Sequence, residues 1–129
     1  MSGPFSKVRL PDVEDAAAKG GFGEHQEARF ANRDLQTEHT GLSHHRVKPG
    51  RRQAFAHRHD EAEEVYVVLS GFGRVKLDDE IVELAPLDAI RVSPGVMRRF
   101  EAGDDGLELL AFGPRHEGDG ELLSDWWAE

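Results

Sequence analysis

The chain contains no cysteine, which removes disulfides, thiolate metal sites and cysteine nucleophiles at one stroke. A thiol-free composition suits a reducing interior, and a cytoplasmic location is the expectation. Positive charge is scarce as well: 16 Lys and Arg stand against 25 Asp and Glu, a formal net charge of −9. Nucleic acid is therefore not an expected partner, because a phosphate backbone calls for positive patches. The arginine pairs Arg51 with Arg52 and Arg98 with Arg99 are too short to reverse that balance. Long apolar runs are missing too. The longest, Val65 to Leu69, is far below the roughly 20 residues that cross a bilayer, and the start MSGPFSKVRL lacks the apolar core of a secretory leader. Neither a membrane partner nor a targeting segment is expected. No stretch carries the spacing of a long amphipathic helix.

What is present fits one domain of 129 residues, 38% hydrophobic and 32% charged, with 14 glycines. That size buries a core without staples, and the glycines imply many turns. Residues 1–26 read as an arm, with DVEDAAAK forming a short helix and Gly20 to Gly23 a turn. The barrel spans about 27–113 and a tail 114–129. Short β-type runs recur from residue 27: Glu27 to Ala31, Gly41 to Lys48, Gln53 to His59, Glu64 to Leu69, Gly73 to Leu77, Ile81 to Leu84, Ala89 to Val92, Met97 to Glu101 and Leu107 to Phe112. Breakers at Lys48 to Gly50, Ser93 to Gly95 and Gly103 to Gly106 separate them, and the spacing predicts an all-β sandwich or barrel. Asp78, Asp79 and Glu80 mark a tight hairpin turn. The run VYVVL is apolar on both parities, so both of its faces need cover. The cover for Val65, Val67 and Leu69 is the arm or a second subunit. Leu122, Leu123, Trp126 and Trp127 break the polar tail and are expected to dock on the barrel or on a partner. A homodimer is expected from these two features.

One segment, HRHDEAEEVYVVLSG from His57 to Gly71, concentrates the chemistry. Side chains alternate along a strand, so His57 and His59 point the same way with Cα atoms about 6.5 Å apart. Asp60 to Glu63 make a polar turn, and Glu64 opens the returning strand on the same face. Two imidazoles and a carboxylate suit a divalent cation, and with open positions they form a facial triad. Glu63 competes, but parity favours Glu64. Gln53 and Phe55 share the parity of the histidines, Tyr66 that of Glu64, and Phe100 that of Arg98. Of His44 and His45 one must face inward, and either places a nitrogen near the triad. His25, His39 and His116 fall in arms or turns and are expected in solvent.

These residues resemble the first motif of the cupin family: a glycine, HxH, a glutamate and a glycine at Gly50, His57, His59, Glu64 and Gly71, with one extra residue in the first spacer. The second motif falls on Leu87 to Phe100, where Gly95 fits, Leu87 and Ser93 replace a glycine and a proline, and Arg98 stands in place of the fourth ligand histidine. The resemblance covers residues 40 to 113 and implies a cupin-type jelly-roll barrel of six to ten strands with the site inside one mouth. It also implies a divalent metal, Fe, Mn, Ni or Zn, held by His57, His59 and Glu64, and small polar substrates. Arginine has no lone pair to donate to a metal. Arg98 is expected instead to grip an anionic small-molecule ligand, with Gln53, Phe55, Tyr66 and Phe100 beside it. A metal-dependent isomerase or oxygenase is one function class. A non-catalytic binding or sensing barrel with a metal site weakened by Arg98 is the other.

Overall fold

Within one computed structural model of the chain, residues 3–115, 120–124 and 126–127 are described. His116 lies outside them. Among the described residues eight strands curl into a single antiparallel sheet: β1 (Gln26–Phe30), β2 (Thr40–Val47), β3 (Ala56–His59), β4 (Glu64–Leu77), β5 (Glu80–Leu84), β6 (Ala89–Val92), β7 (Arg98–Pro114) and β8 (Gly120–Leu123). The path β1-β2-β7-β3-β8 is joined to β4, β5 and β6 through the pairing of β4 with β7. This is the jelly-roll barrel expected from the sequence. Two short α-helices, α1 (Ala16–Lys19) and α2 (Asn32–Leu35), and a 3-10 turn at Leu10–Asp12 accompany it.

Several boundaries differ from the sequence reading. Glu64 to Leu69 and Gly73 to Leu77 are one strand, and so are Met97 to Glu101 and Leu107 to Phe112, except that the latter begins at Arg98. The glycines that looked like breakers are instead a corner. The register shifts between Gly71 and Gly73, and β4 leaves Leu107 to rejoin β7 at Ala102. Gly71 has φ +80, and a Cβ there would sit 2.0 Å from the carbonyl oxygen of Gly106. Only glycine lets the two backbones approach so closely while the strands turn. The β4–β5 hairpin turns on Asp78 and Asp79, with Glu80 already paired to Leu77. Asp78 takes a φ of 50, and its carboxylate accepts from the Met97 N–H at 3.0 Å, fastening the turn to the start of β7.

Alternation fills the interior. Leu107, Leu109 and Ala111 of β7 are buried, and Tyr66, Val68 and Val75 of β4 meet them. On the outer face Leu69 and Phe112 are 39% and 37% exposed, so that face is only partly covered. The arm covers the cavity end of the barrel. Asp15 caps α1 by accepting from Ala17 N and Ala18 N, and also accepts from Ala28 N of β1 at 3.0 Å. One carboxylate thus ties helix to barrel.

The tail docks on its own barrel. Trp127 is 4% exposed, beneath the Arg52 guanidinium at 4.1 Å and near that of Arg74 at 5.2 Å. The Lys76 ammonium lies 4.7 Å over Trp126, and Arg99 donates to the Trp126 carbonyl at 2.7 Å. The contacts of Arg52 and Arg74 with Trp127 are cation–π contacts of the kind arginine favours. Strand β8 was not anticipated. All four of its residues are exposed, so no burial pattern announces it, and its order comes from backbone pairing with the edge of β3.

Candidate metal centre and its cavity

The end of β3 and the start of β4 bring the triad together. Glu64 Oε1 lies 3.2 Å from His59 Nε2 and 3.6 Å from His57 Nε2, and one ligand atom from each residue falls within 4.8 Å of the others. Two ligands bound at about 2.1 Å to one ion are roughly 3.0 to 3.4 Å apart for octahedral to tetrahedral angles. The two nitrogen–oxygen distances lie in or close to that range, so the donor set fits a small divalent cation. Glu63 is not part of it: its carboxylate is exposed and pairs with Arg91 at 3.5 Å.

Glu64 is also held without an ion. Tyr66 donates its hydroxyl hydrogen to Glu64 Oε1 at 2.5 Å, which leaves His57 Nε2 to donate to the Tyr66 oxygen at 3.2 Å. Burial would raise the Glu64 carboxyl, but hydrogen bonds from His57, His59 and Tyr66 outweigh it and hold the group far below the usual carboxylate range. Burial lowers the His57 imidazole, and the Arg98 charge lowers it further. Tyr66 is pushed well above its ordinary value by burial and by the Glu64 charge.

Arg98 stands directly opposite His57 in the β3–β7 pairing, on the same face. Its side chain is fully buried, with Nη2 3.8 Å from Glu64 Oε1, and none of its three nitrogens has a hydrogen-bond partner among the described residues. It lies behind the triad. A cavity of about 420 Å³ opens on the other side, lined by His57, His59, Glu64, Tyr66, Gln53 and Phe55 among others, and Arg98 is not on its wall. Phe100 is likewise fully buried, its ring packed 4.8 Å from that of Tyr66. Of the five residues expected at the substrate, Gln53, Phe55 and Tyr66 line this cavity, whereas Phe100 and Arg98 do not and are fully buried. Gln53 and Phe55 reach the wall from the irregular segment before β3 rather than by strand parity.

Of the two adjacent histidines, His45 faces the cavity and His44 does not. His44 Nε2 lies 2.7 Å from the Glu108 carboxylate on the outer side. His45 Nε2 is 2.8 Å from Ser43 Oγ, and burial with the neighbouring His57 lowers its pKa to about 4. The rest of the wall was not legible in the motif: Ala16 and Ala17 of α1, Phe22 of the arm, Phe30, Leu42 and, from β8, Leu122. The fold of arm and tail over the mouth leaves no local sequence signal. His25 is partly exposed and His39 exposed, as expected for arm and turn positions. Among the described residues no helix is long and apolar enough to cross a membrane.

Comparison with known proteins gives the same architecture. The cupin domain family matches residues 43–113. A cupin protein from Bacteroides fragilis is 21% identical with a TM-score of 0.71, covering 91% of this chain and 89% of that one. A polyketide cyclase from Streptomyces resistomycificus is 19% identical with a TM-score of 0.73, covering 90% and 83%. Oxalate decarboxylase from Bacillus subtilis is 24% identical with a TM-score of 0.73; 99% of this chain covers 35% of that one. No curated protein matches the sequence. The family match spans more than half of the sequence and takes in both histidines and the glutamate, and the chain belongs to the cupin family.

Proposed function

We propose that this protein is a metal-dependent enzyme acting on a small organic molecule, with His57, His59 and Glu64 as the ligands of one divalent ion, Fe, Mn, Ni or Zn. The observation that carries the reading is the convergence of His57 Nε2, His59 Nε2 and Glu64 Oε1 at the wall of a 420 Å³ cavity. When bound, such an ion supplies Lewis-acid polarisation of a substrate oxygen, or redox chemistry if it is iron or manganese. The chain's own residues do the rest. Tyr66 orients the Glu64 carboxylate through its hydroxyl and, with His57 and His59, keeps it ionised, while Arg98 sets a positive charge 3.8 Å behind it. His45, uncharged at neutral pH, offers the cavity a proton-accepting or proton-donating nitrogen.

Isomerisation and oxygenation are the reaction classes favoured, and solved relatives with this fold include a polyketide cyclase and a decarboxylase. The arm, barrel and tail act as one domain in this reading. A cytoplasmic location belongs to the same proposal, as does a homodimer formed on the outer face where Leu69 and Phe112 are exposed. A second reading, a binding barrel without turnover, is favoured by Arg98, whose positive charge beside Glu64 opposes a dication.

The test is metal content of protein purified without added metal, measured by plasma mass spectrometry beside His57→Ala and Glu64→Ala. Near-stoichiometric metal in the wild type and its loss in both variants is expected. A wild type that is empty and takes up no Fe, Mn, Ni or Zn on titration sinks the metalloenzyme reading in favour of the second.

A further inference from the structure

We propose that the cavity is built for a largely apolar, aromatic molecule of two or three rings with a single oxygen function, a phenol, enol or ketone, at the His57 and His59 end. This rests on reading the cavity as the substrate site and deepens that reading by naming the substrate class.

The wall divides into two kinds of surface. Phe22, Phe30, Phe55, Leu42 and Leu122, with a set of alanines, form the greater part. Phe22 and Phe55 meet edge to face at 4.7 Å, and Phe30 meets the His45 ring edge to face at 5.7 Å. Such pairs leave ring faces and ring edges free in different directions, which is what a planar π system engages beyond simple area burial. An aliphatic ligand gains nothing from that arrangement.

Polar groups on the wall are fewer than the residue names suggest. Gln26 accepts through its side-chain oxygen from Ala54 N at 2.8 Å, Gln53 from Phe100 N at 3.1 Å, and Asn32 from Leu42 N at 2.8 Å. These amide oxygens hold the backbone. The NH2 groups of the three amides and the Ser43 hydroxyl, itself 2.8 Å from His45 Nε2, are neutral polar groups on the wall, whereas every titratable group, His45, His57, His59, Glu64 and Tyr66, gathers at one end. A ligand matched to this wall has its one strongly polar function at that end.

Charge points the same way. Among the described residues no Lys or Arg lines the cavity, and Glu64 is its one formally charged side chain. Arg98, the nearest buried cation, is fully enclosed and turned to Glu64. A sugar phosphate or a dicarboxylate would have to shed its water against phenylalanine and alanine without a cation for each anionic group, and the cost of such desolvation is several kcal/mol per charge. A neutral ring system sheds nothing of that size.

Volume sets the number of rings. An apolar cavity of about 150 Å³ holds one benzene, so 420 Å³ has room for two to three rings. It also falls within the range of roughly 300–1,000 Å³ that encloses drug-sized ligands.

The experiment is calorimetric titration of zinc-loaded and of metal-stripped wild-type protein with 2-naphthol, glucose 6-phosphate and oxalate. Saturable binding of 2-naphthol at micromolar concentration, at least tenfold tighter than either anion, is expected. Phe55→Leu, which keeps an apolar side chain and removes the ring, should weaken 2-naphthol about fivefold while zinc uptake and the circular dichroism spectrum stay unchanged. Leu122→Asp, at a position 64% exposed and so tolerant of a polar side chain, should weaken it as well if Phe55→Leu fails to fold. Saturable binding of glucose 6-phosphate or oxalate in place of 2-naphthol overturns the proposal, as does 2-naphthol affinity that neither substitution changes. Binding of 2-naphthol by a protein that takes up no zinc would sustain the ligand class while removing the metal from the function proposed above.

Discussion

Replacing Arg98 by methionine tests how the buried guanidinium is held. Attraction between charges 3.8 Å apart is about 4 kcal/mol at an effective dielectric near 20. Against it stands the loss of hydration of a fully buried cation, several kcal/mol, which its three nitrogens, without hydrogen-bond partners among the described residues, do nothing to offset. The opposing cost matches or exceeds the attraction. Glu64 keeps its bonds to Tyr66 and the histidines when Arg98 is removed, so no carboxylate is stranded. Arg98→Met, similar in length and unbranched, should therefore leave stability unchanged or raise it by about 1 to 3 kcal/mol, measured by urea unfolding in EDTA.

The same substitution should tighten zinc. A cation next to the carboxylate ligand repels a second cation, so its removal should lower the zinc Kd at least tenfold, about 1.4 kcal/mol, in competition calorimetry. Arg98→His goes further, because position 98 lies opposite His57 on one face and an imidazole there adds a donor. Destabilisation of Arg98→Met by more than about 3 kcal/mol in EDTA would falsify the reasoning, since the pair attraction would then exceed the burial cost. A histidine variant that binds zinc no better than the methionine one would mean that position 98 does not reach the donor set.

Two further outcomes concern the frame around the site. Gly71→Ala should cost about 2 to 5 kcal/mol, because φ is +80 and the new Cβ meets the Gly106 carbonyl at 2.0 Å, whereas Gly95→Ala, with φ +84 and nothing within 4 Å, should cost about 1 to 2 kcal/mol; equal losses on urea unfolding would mean that the strand approach is not what requires Gly71. Asp15→Ala should cost about 1 to 2 kcal/mol by loss of the α1 cap and of the tie to Ala28 N. Burial opposes ionisation of Asp15, but bonds from Ala28, Ala18 and Ala17 depress its carboxyl below the ordinary 3.8. Its contribution is thus complete above that value and fades as pH falls below it, so the wild-type and variant stability curves should converge on acidification, and a gap that persists to pH 2 would refute the assignment.

How much the sequence discloses depends on which force fixes each element. The triad is legible because strand alternation is a local rule: His57, His59 and Glu64 converge once one turn is placed, and a turn of polar residues is easy to place. The strand boundaries at Gly71 to Gly73 and Gly103 to Gly106 mislead because glycine signals conformational freedom without saying whether the chain stops or bends. Only the register with the partner strand decides, and that contact is about 35 residues away in sequence. Gln53 and Phe55 line the cavity although the segment carrying them is not a strand, so parity pointed to two wall residues by a route the backbone does not take. The tail is a third case. Trp126 and Trp127 are conspicuous, but their partners Arg52, Arg74, Lys76 and Arg99 come from three separate stretches of chain.

Arg98 marks the limit of motif reading most sharply. Position in the motif places its side chain at the metal, and chemistry says a guanidinium there must hold an anion; both steps are sound in isolation. The missing quantity is depth. Position 98 opens β7 behind the triad, where the residue is walled in and its charge is directed at Glu64 rather than at the cavity. A charge that faces a ligand selects that ligand, whereas a charge that faces only another protein charge sets how firmly the second one is ionised and how strongly it attracts a metal. Burial, which no single sequence position encodes, moves Arg98 from the first role to the second, and with it the expected substrate from an anion to a molecule the apolar wall can accept.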